Sequence, residues 1–317
     1  MTLSRFIVGR LVRLAATLLV SSFVIFSALF IAPGNPIATL SGGRSLSPDA
    51  VKVLEKRFHL DQPFFTRYFS WLGGVLRGDL GISVKLRQEV SSLISARIAT
   101  TLLLVLLSSI IILVIGIALG IVAALREGWA DGSVLVITAV SAAIPAFVAT
   151  TLLLSIFVLN LGWFPAFGSG KGFLDQVRHL VLPSVALAIS SLAVVARVTR
   201  SAVREELGRE HVQTAVSRGI PSSQILRRHV LRNAAIPIAT VSGVTVASLL
   251  ALSAVVERAF TLNGLGAYLV SAATTNDFAV VQGISLMVVA GFSVTNAVVD
   301  VLYAVLDPRI GLGAAAS

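Results

Sequence analysis

Six stretches of this chain are apolar for long enough to cross a hydrocarbon layer, a task that takes roughly 20 residues of helix. They run approximately over 11–32, 101–125, 133–161, 180–199, 236–256 and 283–306. Composition leaves lipid as the solvent for them. Hydrophobic residues make up 56% of the 317 and charged residues only 13%, about half of the roughly 25% that a water-facing domain carries. The predicted fold class is therefore all-α and integral to a membrane, with about six transmembrane helices. A net charge of +10 would point to nucleic acid in a soluble protein. Here the arginines gather near span ends, as topology signals and contacts to membrane lipid, so no nucleic-acid partner is expected. The chain has no cysteine, which excludes disulfides, thiolate metal sites and a cysteine nucleophile.

The first stretch has the basic start of a signal peptide, with Arg5, Arg10 and Arg13. Five further spans follow, so it reads as an uncleaved first helix. Pro145 predicts a kink in the third span. With the N-terminus inside, the inner segments hold thirteen arginines, among them Arg126, Arg197, Arg200, Arg204, Arg209, Arg218, Arg227, Arg228 and Arg232. The short outer loops hold only Lys171, Arg178 and Arg258. This asymmetry predicts that both termini are cytoplasmic. Four segments follow: a first helix over 1–32, an external segment over 33–100, a five-helix core over 101–306 and a tail over 307–317.

In the external collar, Pro33, Gly34 and Pro36 stop the first helix. Ser47-Pro48-Asp49 marks a helix start, and Ala50, Val53, Leu54 and Phe58 repeat at helical spacing behind it. A second amphipathic run places Phe65, Tyr68, Leu72 and Leu76 on one face. These aromatics either pack on helix ends at the headgroup level or form a docking surface for an external partner.

The stretch over 201–235 is the long polar segment of the inner side. Val212, Ala215 and Val216 give a short helix an apolar face of small residues, and Gly219 and Pro221 force a turn. Ser222 or Ser223 caps a second helix. Two short helices joined by a fixed turn make a knob facing water, or no more than a solvated elbow.

Other candidate chemistry is thin. Gly168-Ser169-Gly170-Lys171-Gly172 has Pro165 where a P-loop needs its first glycine, and Gly172 where Ser or Thr should hold magnesium. His59, His179, His211 and His229 lie in separate segments, so no metal site and no catalytic residues are predicted. Asp300 shares a face of the last span with Asn296 and Tyr303, while Arg197, Arg200 and Arg204 share a face at the inner end of the fourth. An ion pair of Asp300 with Arg197 or Arg200, locking two helices, is preferred to a substrate ligand. Ser242, Thr245, Ser248 and Asn160 are candidate liners of a path.

The knob resembles the cytoplasmic EAA-type loop of permease subunits of ATP-binding-cassette importers. The residues that carry the likeness are Thr214-Ala215-Val216-Ser217-Arg218-Gly219, then Ile225, then Arg232-Asn233-Ala234-Ala235-Ile236-Pro237. Nearly the whole chain is similar to the dipeptide/oligopeptide/nickel permeases of the DppB/OppB type. Ala32-Pro33-Gly34-Asn35-Pro36, Leu60-Asp61-Gln62-Pro63 and the run from Trp71 to Gly81 match in order. So do Val255-Val256-Glu257, Gly264-Leu265-Gly266, Val280-Val281-Gln282-Gly283 and Leu306-Asp307-Pro308-Arg309. His211, Gln213, Asn263 and Gly311 depart from the family pattern.

The resemblance implies a translocation path formed with a second, homologous permease in a bacterial inner membrane. It implies one or two cytoplasmic ATP-binding subunits, which would hold ATP and Mg, and an external substrate-binding protein that delivers peptide. No cofactor is expected in this chain, and the chain is not an enzyme by itself. The ATPase-coupling residues would be Thr214, Ala215, Ser217, Arg218, Gly219, Pro221 and Ile225, with Ala215 and Gly219 entering a groove on the ATPase. The alternatives are a permease for nickel or another small solute, or a self-contained secondary transporter. The latter calls for buried mid-span charges and often an inverted repeat, and no clear repeat is visible.

Overall fold

A computed structural model describes residues 3–31, 47–49, 52 and 61–306. Apart from one β-bridge between Ile82 and Glu89, the described regular structure is helical. The helices are α1 (Leu3–Ile31), α2 (Phe64–Leu76), α3 (Val90–Leu125), α4 (Trp129–Ala143), α5 (Ala146–Asn160), α6 (Phe173–Leu207), α7 (Glu210–Ser217), α8 (Ser222–Ala259), α9 (Leu265–Thr274) and α10 (Phe278–Leu306). α1, α3, α6, α8 and α10 are each long and apolar enough to cross a membrane, and α4 with α5 makes a sixth crossing as a bent pair. The predicted spans coincide closely with these helices, but α3, α6 and α8 run further.

The bend expected at Pro145 is sharp. α4 and α5 meet at 100°. Ile144 is extended, with φ −85° and ψ 113°, the conformation a proline imposes on its predecessor. The Pro145 carbonyl then accepts the N–H groups of Val148 and Ala149 and restarts the helix.

α6 is the central helix. It packs on α3, α4, α5 and α8, and 67% of its apolar window is buried against 11% for α1. Small residues make this close approach possible: Ala186, Ala193 and Ala196 are fully enclosed. At Gly120 of α3, a Cβ would meet Thr199 at 2.5 Å and the Ala196 carbonyl at 2.6 Å. The two backbones touch there, as small-residue packing in lipid requires. Two of the buried hydroxyls return to their own helix, Ser108 to the Leu104 carbonyl and Thr150 to that of Ala146, both at 2.8 Å. That satisfies them without water.

α2 docks on α1 through rings. Phe64 and Tyr68 meet Phe23 and Phe26 edge to face, Trp71 lies against Phe26, and the Tyr68 and Ser22 hydroxyls share a hydrogen bond of 3.0 Å. The expected face of Phe65, Tyr68, Leu72 and Leu76 is therefore corrected: Phe65 and Leu76 are 63% and 81% exposed. Ring contacts with α1, edge to face for Phe64 and tilted for Trp71, select those two residues instead, and helical spacing alone does not rank those choices. Pro48 and Asp49 are helical, as their cap pattern implies. Ala50, Val53, Leu54 and Phe58, the 33–36 stop and the 307–317 tail lie outside the described residues.

One end of the bundle closes on two buried carboxylates. Glu257, at 0% exposure, accepts the Thr101 hydroxyl at 2.8 Å and the Ala267 N–H at 2.9 Å. Thr101 in turn accepts the Leu265 N–H at 2.8 Å. A Cβ on Gly264 would meet the Glu257 carboxylate, so a larger residue here would displace that side chain from its bonds. Asp277, also buried, accepts the Ser83 hydroxyl and the backbone N–H groups of Val84 and Lys85. These bonds pin the loop before α3 to the turn between α9 and α10.

Thr101→Val keeps the shape but leaves the Glu257 carboxylate and the Leu265 N–H each short of a partner. A buried group so deprived costs about 1–3 kcal/mol. The purified protein should melt at a clearly lower temperature, and Thr101→Ser should stay near wild type.

Candidate coupling site at the end of the bundle

The opposite end carries the knob. α6 stops at Gly208, and Arg209 takes an extended conformation (φ −71°, ψ 144°) before α7. α7 is only 8 residues long, too short to hold helix by itself in water. Docking supplies what length does not. Val212 and Ala215 are buried with Ala202 and Val203 of α6, Ile225, Val230 and Ala234 of α8, and Ala124 of α3. Glu206 ties the polar side: it pairs with Arg209 at 3.5 Å and His211 at 3.7 Å, and accepts Asn233 Nδ2 at 3.2 Å. Arg209 also reaches Glu205 at 2.7 Å.

The turn after α7 needs its glycine. Gly219 has φ +73°. Its N–H bonds to the Val216 carbonyl at 2.9 Å and the Ile220 N–H to that of Ala215 at 3.2 Å, the paired bonds of a Schellman cap. Ile220 packs on the same cluster as Ala215. Pro221 then precedes α8 with φ −58° and ψ 137°.

The residues predicted for coupling divide between two faces. Ala215 and Ile225 point into this chain's own core, at 4% and 5% exposure. The small side chain of Ala215 lets α7 approach α6 and α8, so within this chain it faces inward. Thr214, Ser217, Arg218, Gly219 and Pro221 are exposed, with Gln213 and Val216 between them. The hydroxyls of Thr214 and Ser217 bond back to Glu210 and Gln213 in the same helix. Arg218, Arg227, Arg228 and Arg232 are exposed around the knob, and none of the four has an ion-pair partner among the described residues.

The arginine face of α6 turns to α4. Arg200 grips Asp131 in two bonds of 2.5 and 2.6 Å, and Arg204 reaches the same carboxylate at 3.0 Å. Arg197 donates to the Thr138 carbonyl at 3.0 Å. Asp131 lies in the first turn of α4, where the helix dipole also favours a carboxylate. The side chain of Asp300 lies outside the described residues. Its helix, α10, packs mainly on α8, α1, α9 and α3, while Arg197 and Arg200 have the α4 partners just named. Sequence reasoning missed Asp131. Three arginines at a spacing of three and four call for an acid on a neighbouring helix at the same end, and the 126–132 connection offers Glu127 and Asp131. Among the path candidates, Ser242 and Thr245 are buried, Ser248 is bonded to the Thr245 carbonyl, and Asn160 is exposed.

Residues 116–312 match the family model described as "Binding-protein-dependent transport system inner membrane component", and residues 3–105 match the N-terminal model of such components. The chain belongs to this permease family. It is 34% identical over 306 residues to the glutathione transport system permease protein GsiC of Escherichia coli O6:H1, covering 96% of this chain and 98% of that one. GsiC of Salmonella typhimurium is 36% identical over 308 residues, with the same coverage. A Brucella abortus protein provisionally named a peptide transport system permease is 35% identical over 309 residues, again covering 96% and 98%. The fold is similar to a chain of the MetNI methionine ABC transporter in an inward facing conformation, with TM-score 0.52 and 18% identity over 68% of this chain and 96% of that one. This permease is thus a multi-pass membrane subunit of the ABC importer type, of the DppB/OppB kind, and not itself the catalytic part. Its kind works with a partner permease, an ATPase and a binding protein.

Gly219→Ala puts a side chain in the left-handed region, which costs about 1–2 kcal/mol. The Gly219 and Ile220 amides should then exchange hydrogen about tenfold faster, while amides in the middle of α6 keep wild-type protection.

Proposed function

We propose that the chain is the permease of a peptide importer and that α7 is its coupling helix. The main support is the build of α7: a short helix, seated by Val212 and Ala215 on α6, α8 and α3, presenting Val216 and Arg218 outward among arginines that have no ion-pair partner among the described residues. A rigid helix passes on a rotation that a loose loop would absorb, and the basic rim suits an acidic rim on an ATP-binding subunit. That subunit would hold ATP and Mg. Peptide is the solute class because the relatives are named for glutathione and peptide transport, and glutathione is itself a short peptide.

In this reading the path forms with a second, homologous permease, and an external binding protein brings the peptide. Both termini and the 201–235 loop face the cytoplasm, and residues 33–100 lie outside as a collar between the first helix and the five-helix core. Thr214, Ser217, Arg218, Gly219 and Pro221 meet the ATPase, and Ala215 and Ile225 hold the knob to the permease. Arg197 and Arg200 brace α6 against α4.

Val216→Glu tests the coupling role, because the residue is exposed and the fold should tolerate the change. The variant should insert and pair with its sister permease, while ATPase co-purification and peptide uptake drop at least tenfold. Wild-type uptake and peptide-stimulated ATP hydrolysis would remove coupling from α7. Orientation is read separately: reporters fused at Arg77 and Arg218 should report opposite sides, and a cytoplasmic signal at Arg77 would reverse the topology.

A further inference from the structure

Far from the knob, a cavity of about 520 Å³ opens between the start of α3, the end of α8 and α9. Two arginines line it. Arg97 of α3 donates to the Leu93 carbonyl at 2.7 Å, and its guanidinium carbon lies 4.2 Å from the centre of the Tyr268 ring. Arg258 stands exposed in the last turn of α8. Among the described residues, neither has an ion-pair partner. The nearby carboxylates are turned to other work, Glu257 to Thr101 and the Ala267 N–H, and Asp277 to Ser83 and the N–H groups of Val84 and Lys85. Glu257 and Asp277 keep their charge behind the wall, so the attraction for an anion is local to the two guanidinium groups that face the cavity.

The frame is rigid. α8 ends in a cap in which the Leu262 N–H bonds to the Glu257 carbonyl at 2.9 Å and the Thr261 N–H to that of Arg258 at 3.3 Å. Thr261 sits in the left-handed region at φ +52° to make it. Burial, then the Asp277 charge, raises the Tyr268 hydroxyl above the ordinary phenol range, with Ser83 and Arg97 pulling the other way. The phenol is therefore neutral at physiological pH, and its ring face holds the Arg97 guanidinium in place before any ligand arrives. Asn263 and Ser271 add neutral polar groups to the lining.

We propose that this cavity receives the C-terminal carboxylate of the incoming peptide, with Arg97 as its floor and Arg258 at its rim. The proposal rests on the peptide reading above. A guanidinium matches a carboxylate in two parallel hydrogen bonds. The volume falls within the range of about 300–1,000 Å³ that small-ligand pockets occupy, room for a terminal residue or two. Every unmodified peptide carries this group whatever its side chains, so one site can orient many peptides without choosing among them.

The test uses the assembled importer in proteoliposomes, with both permeases, the ATPases and the binding protein. One peptide is supplied as its free acid and as its C-terminal amide, each scaled to its own Kd for the binding protein. Wild type should import the acid with the lower KM. Arg258→Gln should raise the ratio of acid KM to amide KM about tenfold, and Arg258→Lys should recover most of it. Arg97→Gln should move the ratio in the same direction. Equal effects on acid and amide, or none on either, would overturn the proposal. So would a loss of docking of the empty binding protein in Arg258→Gln, which would make the arginine a protein contact. If wild type imports neither peptide form, the peptide reading itself fails, a pattern distinct from wild-type import that is indifferent to Arg258.

Discussion

α6 runs for 35 residues through the middle of the bundle, and its packing on α3, α4, α5 and α8 is the contact that the rest depends on. In lipid, apolar side chains gain little by leaving one apolar surface for another, so helices associate through close fit and polar bonds. α6 offers both. Its alanines and the glycine facing them on α3 allow backbone contact, and its arginines reach across to α4. The same helix continues without a break to Gly208, where α7 turns back against it. A displacement of the knob therefore meets a stiff rod anchored in the core.

The two ends of the bundle solve the problem of buried charge differently. At the knob end, a single carboxylate on α4 answers two guanidinium groups, an arrangement that locks helices side by side. At the other end, Glu257 and Asp277 accept only neutral donors among the bonds described, hydroxyls and backbone N–H groups. Those carboxylates hold turns and loops in shape. Among the described residues, neither carboxylate pairs with Arg97 or Arg258. One set of charges braces helices, while the other shapes the turns that frame the cavity lined by Arg97 and Arg258.

Much of this was legible in the chain itself. Span number, helical class, the kink at Pro145 and the position of the knob follow from rules that act locally: apolar length, the missing N–H and fixed φ of proline, and glycine's tolerance of positive φ. The family likeness rested on short runs such as Thr214 to Gly219 and Gly264-Leu265-Gly266, and the relatives bear it out. The turn glycine at 219 and the small residue at 215 are both marked by the sequence itself. The direction in which Ala215 faces was not legible, because a small residue suits an internal contact as well as an external one.

What the sequence determined by itself is a lipid-soluble, six-crossing helical chain with a polar knob between two of its spans. Hydropathy and backbone preference are properties of each segment, and they need no partner to act. Tertiary structure alone decided which helix sits in the centre, that Arg200 and Arg204 share Asp131, that α2 packs by Phe64 and Trp71, and that Arg97 and Arg258 meet across one cavity. Each of these is a pairing between residues far apart in the chain. A pairing depends on distance and direction in space, and helical periodicity narrows a residue to a face without naming the neighbour that the face will meet.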